Sequence, residues 1–378
     1  MAVISFARGI PSPDLLPVAE LAECAQAALA RDGGLALNYG PAGGYPPLRE
    51  WIAERHGVPP THVIITNGSL QGLALVAEHI GRRGGKAIVE APTYDRTLAA
   101  LRRLEIPVES VPLDENGLDL DALAAALPAH GPALVYTIPT YQNPTGRTLS
   151  LENRRRLAEF AADRDVLLYE DDPYRLVRFE GEAPPTLHEL ARGDGVVFAT
   201  SFSKTVAPGL RIGYLVAPEA LVVALEKLVL ASYIAPSGVS QAALTEFLAR
   251  GRLEPNLERI SAELRRRRDA MLAALERAMP DEASWSEPEG GYFLWLDVPE
   301  TISAPELLDR ATAEGVTFVP GGEFYIGSGG EHALRLAYSF ASVAGIEEGV
   351  GRLARLVREA SANEALTGPR GSSTRARS

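Results

Sequence analysis

The sequence is poor in the residues that staple a fold or bind metal. It holds one cysteine, Cys24, which excludes a disulfide framework and gives no zinc cluster. Its histidines, His56, His62, His79, His130, His188 and His332, fall at no metal-ligand spacing. No apolar run approaches the ~18 residues of a membrane span. Residues 1–13 have neither the basic start nor the long apolar core of a signal peptide. A membrane partner is therefore not expected, and the cytoplasm is the expected compartment. Without a secretory signal, the glycosylation sequon Asn67-Gly68-Ser69 is idle. Positive charge is in deficit: 37 Lys and Arg against 49 Asp and Glu, net -12, argue against a nucleic-acid partner. A nucleotide-binding protein is disfavoured too, because no G-x-x-x-x-G-K-[ST] loop or G-x-G-x-x-G turn stands between a strand and a helix.

The remaining composition, 46% hydrophobic and 23% charged, is that of an ordinary globular protein, and 378 residues suggest two domains. An extended arm rich in Gly and Pro covers 1–14, and a helix is expected over 18–31. A Gly/Pro-dense loop follows around Tyr39, and Pro46 and Pro47 open a helix that ends near Gly57. From 61 to 216 short apolar strands alternate with helices. The expected strands are 63–66, 87–90, 108–111, 133–137, 166–171, 196–200 and 212–217; the helices are near 69–82, 94–103, 119–127 and 151–163. Continuous apolar runs suit strands covered on both faces, so the reading is α/β with a mostly parallel, seven-stranded sheet. Helices are expected near 219–231, 237–249 and 253–278; the four-arginine run 265–268 in the last reads as a solvated face among acids. A smaller mixed region follows: a strand over 291–297, a helix at 304–313, strands near 316–319 and 334–339, and a helix from about 345 to 360. The polar tail 361–378 is expected to be disordered.

Ligands of such sheets sit beyond the carboxyl ends of the strands. Five motifs fall there. Ser201-Phe202-Ser203-Lys204 crowds hydroxyls around a lysine, with Arg211 seven residues on. A desolvated lysine favours its neutral, nucleophilic amine, and a guanidinium fork suits phosphate; together they fit a Schiff-base lysine beside a phosphate anchor, as pyridoxal 5'-phosphate (PLP) requires. Asn67-Gly68-Ser69-Leu70-Gln71 joins a strand to a helix N-terminus, a ready phosphate cradle. Ala91-Pro92-Thr93-Tyr94 offers an aromatic ring for stacking. Gln142-Asn143-Pro144-Thr145-Gly146 offers a carboxamide to a ring oxygen or a carboxylate. Tyr169-Glu170-Asp171-Asp172-Pro173-Tyr174 offers a carboxylate to a ring nitrogen and a phenol three residues later. Each fragment alone has an ordinary reading as a turn, a cap or a surface loop. Together they meet five different requirements of one cofactor.

On these motifs the chain resembles the class I/II aminotransferases of fold type I, in the branch of 2-aminoadipate and kynurenine aminotransferases and MocR-like catalytic domains. The likeness runs from about Phe6 to about Leu356 and rests on Y-x-x-x-x-G at Tyr39, N-P-T-G, D-D-P-Y, S-F-S-K and the arginine in Leu334-Arg335-Leu336. It implies an arm and interface segment over 1–45, a large PLP-binding domain over 46–260 and a small α+β domain over 261–360. It further implies that Lys204 carries the cofactor and shuttles the Cα proton, that Asp171 pairs with the pyridinium nitrogen, and that Asn143 and Tyr174 face the ring oxygen. Tyr94 would stack on the ring. Ser69, the Leu70 backbone, Ser201, Ser203 and Arg211 would share the phosphate. Arg335, helped by Asn143, would grip the substrate carboxylate, and Tyr39 would cross a homodimer interface into the partner's site.

There are two departures. Leu70 stands where relatives often carry Gln, which removes one side-chain phosphate contact. The arm begins at once, without the basic winged-helix segment of MocR-like regulators, so the free enzyme is the expected form. The implied activity is transfer of an amino group from an α-amino acid to a 2-oxo acid, 2-oxoglutarate being the expected acceptor. A β-lyase, decarboxylase or racemase would use the same constellation; a non-catalytic PLP sensor would need neither Arg335 nor an acid/base lysine. Substrate choice is expected to reside in residues 8–16, the Tyr39 loop, and Phe324 and Tyr325, all in loops. Arg8 is a candidate partner for an acidic side chain, or a structural ion-pair residue.

Overall fold

The structure, a computed structural model, describes residues 3–114, 117–128, 130–164 and 166–367. Strand β1 (Ile4–Ser5) and helices α1 (Val18–Ala36) and α2 (Pro46–His56) come first. Then follow β2 (Val63–Thr66), α3 (Ser69–Gly81), β3 (Lys86–Ala91), α4 (Asp95–Arg103), β4 (Val108–Asp114), β5 (Gly117–Leu118), α5 (Leu120–Ala126), β6 (Ala133–Thr137), α6 (Leu151–Asp163), β7 (Leu167–Asp171), α7 (Leu187–Leu190), β8 (Val196–Ser201) and β9 (Gly213–Val216). Helices α8 (Glu219–Ser232), α9 (Gly238–Ala249) and α10 (Leu253–Ala278) lead to β10 (Ser284–Trp285), β11 (Phe293–Asp297), α11 (Ala304–Ala313), β12 (Val316–Thr317), β13 (Val319–Pro320), β14 (Ala333–Ala337) and α12 (Val343–Thr367). No helix among the described residues is long and apolar enough to cross a membrane.

The large sheet has the order β2-β9-β8-β7-β6-β3-β4-β5. Strands β8, β7, β6, β3 and β4 pair in parallel, and β9 runs antiparallel to both its neighbours, so β2 points the same way as the parallel five. Six carboxyl ends therefore share one edge, and the segment entering β9 starts from that edge as well. Alternate residues bury on opposite faces, as a pleated strand requires. Leu134 and Tyr136 pack in the core with Leu73 and Val76 of α3, whereas Val135 packs with Leu157 and Phe160 of α6. Helices α1, α2 and α9 cover that second face beside β2 and β9.

A separate core joins the antiparallel sheet β10-β11-β14-β13 to α10, α11 and α12. Phe6, fully buried, belongs to it, and β1 pairs in parallel with β12. The N-terminal arm thus packs into the smaller, C-terminal core.

The α/β architecture is the expected one, with differences of local origin. The sheet has eight strands, not seven: β5 is a two-residue antiparallel return on β4, too short to show periodicity. Helix α1 continues past 31 to Ala36 with a kink at Asp32; Arg31 is held by Glu246 of α9, and Tyr45 Oη donates to Asp32 at 3.0 Å, so packing overrides Gly33-Gly34. The strand expected over 316–319 splits in two, β12 pairing with β1 and β13 with β14. The tail is helical through Thr367, where Ala362, Glu364, Ala365 and Leu366 are good helix formers; 368–378 lie outside the described residues.

Beneath the edge where these carboxyl ends meet, Arg154 and Glu170 are both fully buried, 3.7 Å apart. Arg154 donates to Leu149 O, Pro139 O, Thr140 Oγ1 and Pro185 O, and Glu170 accepts from the Leu187 and His188 amides at 2.9 Å. Replacing Arg154 by Leu strands a buried carboxylate and several carbonyls. We expect Arg154→Leu to lose about 3–5 kcal/mol of unfolding free energy, read from denaturant midpoints. A loss below about 1 kcal/mol would show that the pair is not a structural clamp.

Candidate active site

Lys204 lies in the turn that follows β8. Its Nζ donates to Gly9 O of the arm at 2.5 Å and lies 5.8 and 5.2 Å from the ring centroids of Tyr174 and Tyr292. Tyr292 Oη donates to Lys204 O at 2.8 Å, fixing the turn from below. Burial lowers the amine to about 8, assisted by the charges of Arg335 and Arg211 and opposed by Asp171. Gly9 has room only for hydrogen, since a Cβ there would stand 2.3 Å from Phe293 Cζ.

Asp171 ends β7 and is 5% exposed. Its Oδ2 accepts from Tyr136 Oη at 2.8 Å, while Oδ1 is buried without a partner among the described residues. Burial raises the carboxyl to about 7, with Asp172 adding to the rise; Tyr136, Ser69 and Lys204 pull the other way. An unpartnered buried carboxylate oxygen calls for a donor, and a protonated ring nitrogen is one.

A cradle for an anion lies on the same edge. Gly68 takes φ +89°, which turns the chain from β2 into α3, and a Cβ on it would lie 2.7 Å from Arg211 Nη2. Arg211 Nη2 donates to Asn67 O at 2.8 Å, and its guanidinium is exposed. Ser69 and Leu70 are the first residues of the 13-residue α3, so their amides precede the helical ladder. The Leu70 side chain packs against the core, leaving only its backbone for a ligand. Ser201 and Ser203 hydroxyls lie 2.8 Å apart.

Arg335, on β14, is 6% exposed between the rings of Phe293 and Phe324, with centroids at 4.3 and 5.0 Å. Its Nη1 donates to Asn143 Oδ1 and its Nη2 to Ala7 O, each at 3.0 Å; Nε is buried without a described partner. Tyr174 is buried against Tyr292 and Phe293. Tyr94 caps α4 half-buried, its phenol pushed up to about 12 by burial first and Asp95 second.

Of the residues singled out in the sequence, Ser69, Leu70, Tyr94, Asn143, Asp171, Tyr174, Ser201, Ser203, Lys204 and Arg211 lie at this edge, and Arg335 reaches Asn143 from the smaller sheet. Tyr39 does not join them: it is 82% exposed, and its side chain makes no hydrogen bond with a described residue. Sequence reading missed Tyr136, Glu90, Gly9 and Tyr292. A signal existed for Glu90, an acid ending the apolar run Ala87-Ile88-Val89. The others show only in three dimensions. A free carboxylate oxygen, an anion cradle with a guanidinium and two hydroxyls, and an enclosed amine fit the ring nitrogen, phosphate and carbonyl carbon of PLP.

Known proteins resemble this chain in sequence and in fold. The family model for aminotransferase class I and II matches residues 2–353. A 2-aminoadipate transaminase of Thermus thermophilus is 42% identical over 363 residues, covering 94% of this chain and 90% of that one. Among solved structures, an α-aminoadipate aminotransferase of Thermus thermophilus, complexed with N-(5'-phosphopyridoxyl)-L-leucine, superposes with a TM-score of 0.90 at 39% identity, covering 96% of this chain and 93% of that one. A kynurenine aminotransferase of Pyrococcus horikoshii gives 0.89 at 32% identity, covering 95% and 91%. With nearly its whole length matched in sequence and in fold, this chain belongs to the class I and II aminotransferases.

Proposed function

We propose that the chain is a PLP-dependent aminotransferase that moves the amino group of an α-amino acid to a 2-oxo acid, with 2-oxoglutarate as acceptor. The observation that carries this reading is the buried amine of Lys204, lowered to about 8 in a site that also holds Asp171 and Arg335. With that value about one amine in ten is neutral at pH 7, far more than for an ordinary lysine. The name of the Thermus relative makes 2-aminoadipate the first donor to assay. We also infer a cytoplasmic protein, a reading supported by its single buried, unpaired cysteine.

When bound, PLP supplies a ring that takes up negative charge from the substrate's Cα and a carbon that receives the amino group. Ser69, the Leu70 amide, Ser201, Ser203 and Arg211 would hold its phosphate, and Tyr94 would cover a ring face. Asp171, already fixed through Oδ2, would hold the proton on the ring nitrogen with Oδ1. Asn143 Oδ1 is taken by Arg335, so its Nδ2 is the donor left for a ring oxygen or a carboxylate. Tyr174 would bond the ring hydroxyl. Arg335 binds the substrate carboxylate, and Lys204 takes the Cα proton and returns it.

Lys204→Ala should lower transamination by at least about 10²–10⁴-fold, the scale of a lost general base, while thermal unfolding stays near wild type. Near-normal turnover in this variant, in coupled assays of 2-aminoadipate with 2-oxoglutarate, would refute the assignment. Tyr136→Phe removes the hydrogen bond that most opposes the rise of the Asp171 carboxyl on burial. We expect kcat to fall about tenfold or more, as for a lost hydrogen bond to a charge. Phosphate affinity of the apoenzyme, measured by calorimetry, should be unchanged. A wild-type kcat would remove Tyr136 from the site.

We further infer a homodimer with shared sites. Tyr39 lies outside its own cluster, beside the exposed Leu35 and Leu37, on a loop suited to a two-fold contact. Mixing Lys204→Ala with Tyr39→Ala subunits should restore activity, because one of the two sites in a mixed dimer then carries neither change. Isolated mixed dimers no more active than their parents would refute sharing.

A further inference from the structure

Glu90, the penultimate residue of β3, is 3% exposed, yet no step above uses it. Burying a carboxylate is costly unless its oxygens are paired, and both of these are. Oε1 accepts from Thr137 Oγ1 and from the Ile138 amide at 3.2 Å, and Oε2 accepts from Gln142 Nε2 at 3.0 Å. Burial raises its pKa to about 7, with all three donors opposing the rise.

Gln142 is the next link. Its Nε2 also donates to Pro92 O at 2.8 Å, and its Oε1 accepts from Thr145 N and Thr145 Oγ1, both at 2.8 Å. The amide has a single orientation, and it requires a pure acceptor opposite Nε2. Asn143 follows directly in sequence and receives Arg335 Nη1. Pro92 stands two residues before Tyr94. Glu90 therefore ties together the loops that carry Tyr94 and Asn143.

We propose that Glu90 is a positioning residue: by accepting from Gln142 it sets the place of Asn143, and through Asn143 the aim of the Arg335 guanidinium at the substrate carboxylate. This deepens the aminotransferase reading and rests on it. Glutamine at position 90 would fill the same volume but fail chemically. With its oxygen toward Thr137 and Ile138, its NH2 faces Gln142 Nε2, donor against donor. Turned round, the NH2 faces the Ile138 amide. In the first orientation the 142–146 loop must shift; in the second Gln142 keeps an acceptor and the strain falls at Ile138, on the segment that leads into that loop.

The test compares wild-type, Glu90→Gln, Gln142→Leu, double-variant and Thr137→Val holoenzymes. Glu90→Gln should raise the KM of α-amino acid donors about tenfold, the scale of one buried hydrogen bond, with kcat within about twofold. An α-methyl amino acid, which has no Cα hydrogen to lose, should show the same loss of affinity by calorimetry. Gln142→Leu should match it, and the double variant should be no worse than either single change. Thr137→Val, which removes a donor to Glu90 away from Gln142, should leave KM within about twofold while lowering the unfolding temperature. An unchanged KM in Glu90→Gln, additive effects in the double variant, or an equal KM rise in Thr137→Val would each overturn the positioning role while the wild type still transaminates. A wild type that moves no amino group would overturn both readings.

Discussion

Lys204, Asp171 and Arg335 are ionisable groups taken out of water within one site, and the surrounding structure is arranged to make that burial tolerable. Isolated buried charges cost far more than a fold can spare, so each must be paired, hydrogen-bonded or neutralised. Lys204 is brought down to about 8 and given Gly9 O. Asp171 is brought up to about 7 and given one phenol, Tyr136. Arg335 keeps its charge between two aromatic faces, with Asn143 and Ala7 O as acceptors. Each of Asp171 and Arg335 keeps one buried polar atom without a described partner, which is the state of a site shaped for something it binds.

The sheet explains why these groups meet. Six strands pointing one way bring the five motif-bearing loops to a single edge, and β9 enters the sheet from that edge, which places Arg211 over Gly68. The smaller sheet then delivers Arg335 through β14. The arm closes the arrangement with backbone carbonyls: Ala7 O on Arg335, Gly9 O on Lys204, and Arg8 O and Ile10 O accepting from Ser339 Oγ. Because carbonyls do this work, these contacts do not depend on the arm's side chains, except that at Gly9 Phe293 leaves no room for one. Arg8, the sequence's candidate partner for an acidic side chain or a structural ion pair, lies over the ring of Phe340, 5.2 Å from its centroid.

Below the groups that meet ligands lies a second tier of buried carboxylates. Glu90 holds the Gln142 loop, Glu170 holds the start of α7 and pairs with Arg154, and Asp172 accepts from Thr140 at 3.2 Å. Glu90 and Glu170 are the penultimate residues of β3 and β7, and Asp172 lies one residue beyond β7, where loops leave the sheet and backbone amides most need acceptors. The catalytic edge is thus stiffened by charge-assisted hydrogen bonds rather than by apolar packing alone.

The sequence by itself determined the strand and helix succession, because apolar runs of strand length alternating with amphipathic helices leave few other folds. It also determined which polar residues stand at strand ends, since Lys204, Asp171 and Asn143 interrupt patterns that local structure alone would fill with apolar or turn residues. It was silent where partners are distant in the chain. Tyr136 and Asp171 are 35 residues apart, Gln142 and Glu90 52, Gly9 and Lys204 195, Ala7 and Arg335 328. Nothing local in Tyr136 distinguishes a core residue from one that orients the site, and the acid at Glu90 marks a strand end without naming its partners. Only tertiary structure decided which carboxylate oxygen is held and which is left free, because that depends on strand neighbours and side-chain direction, and both are set by the packed sheet.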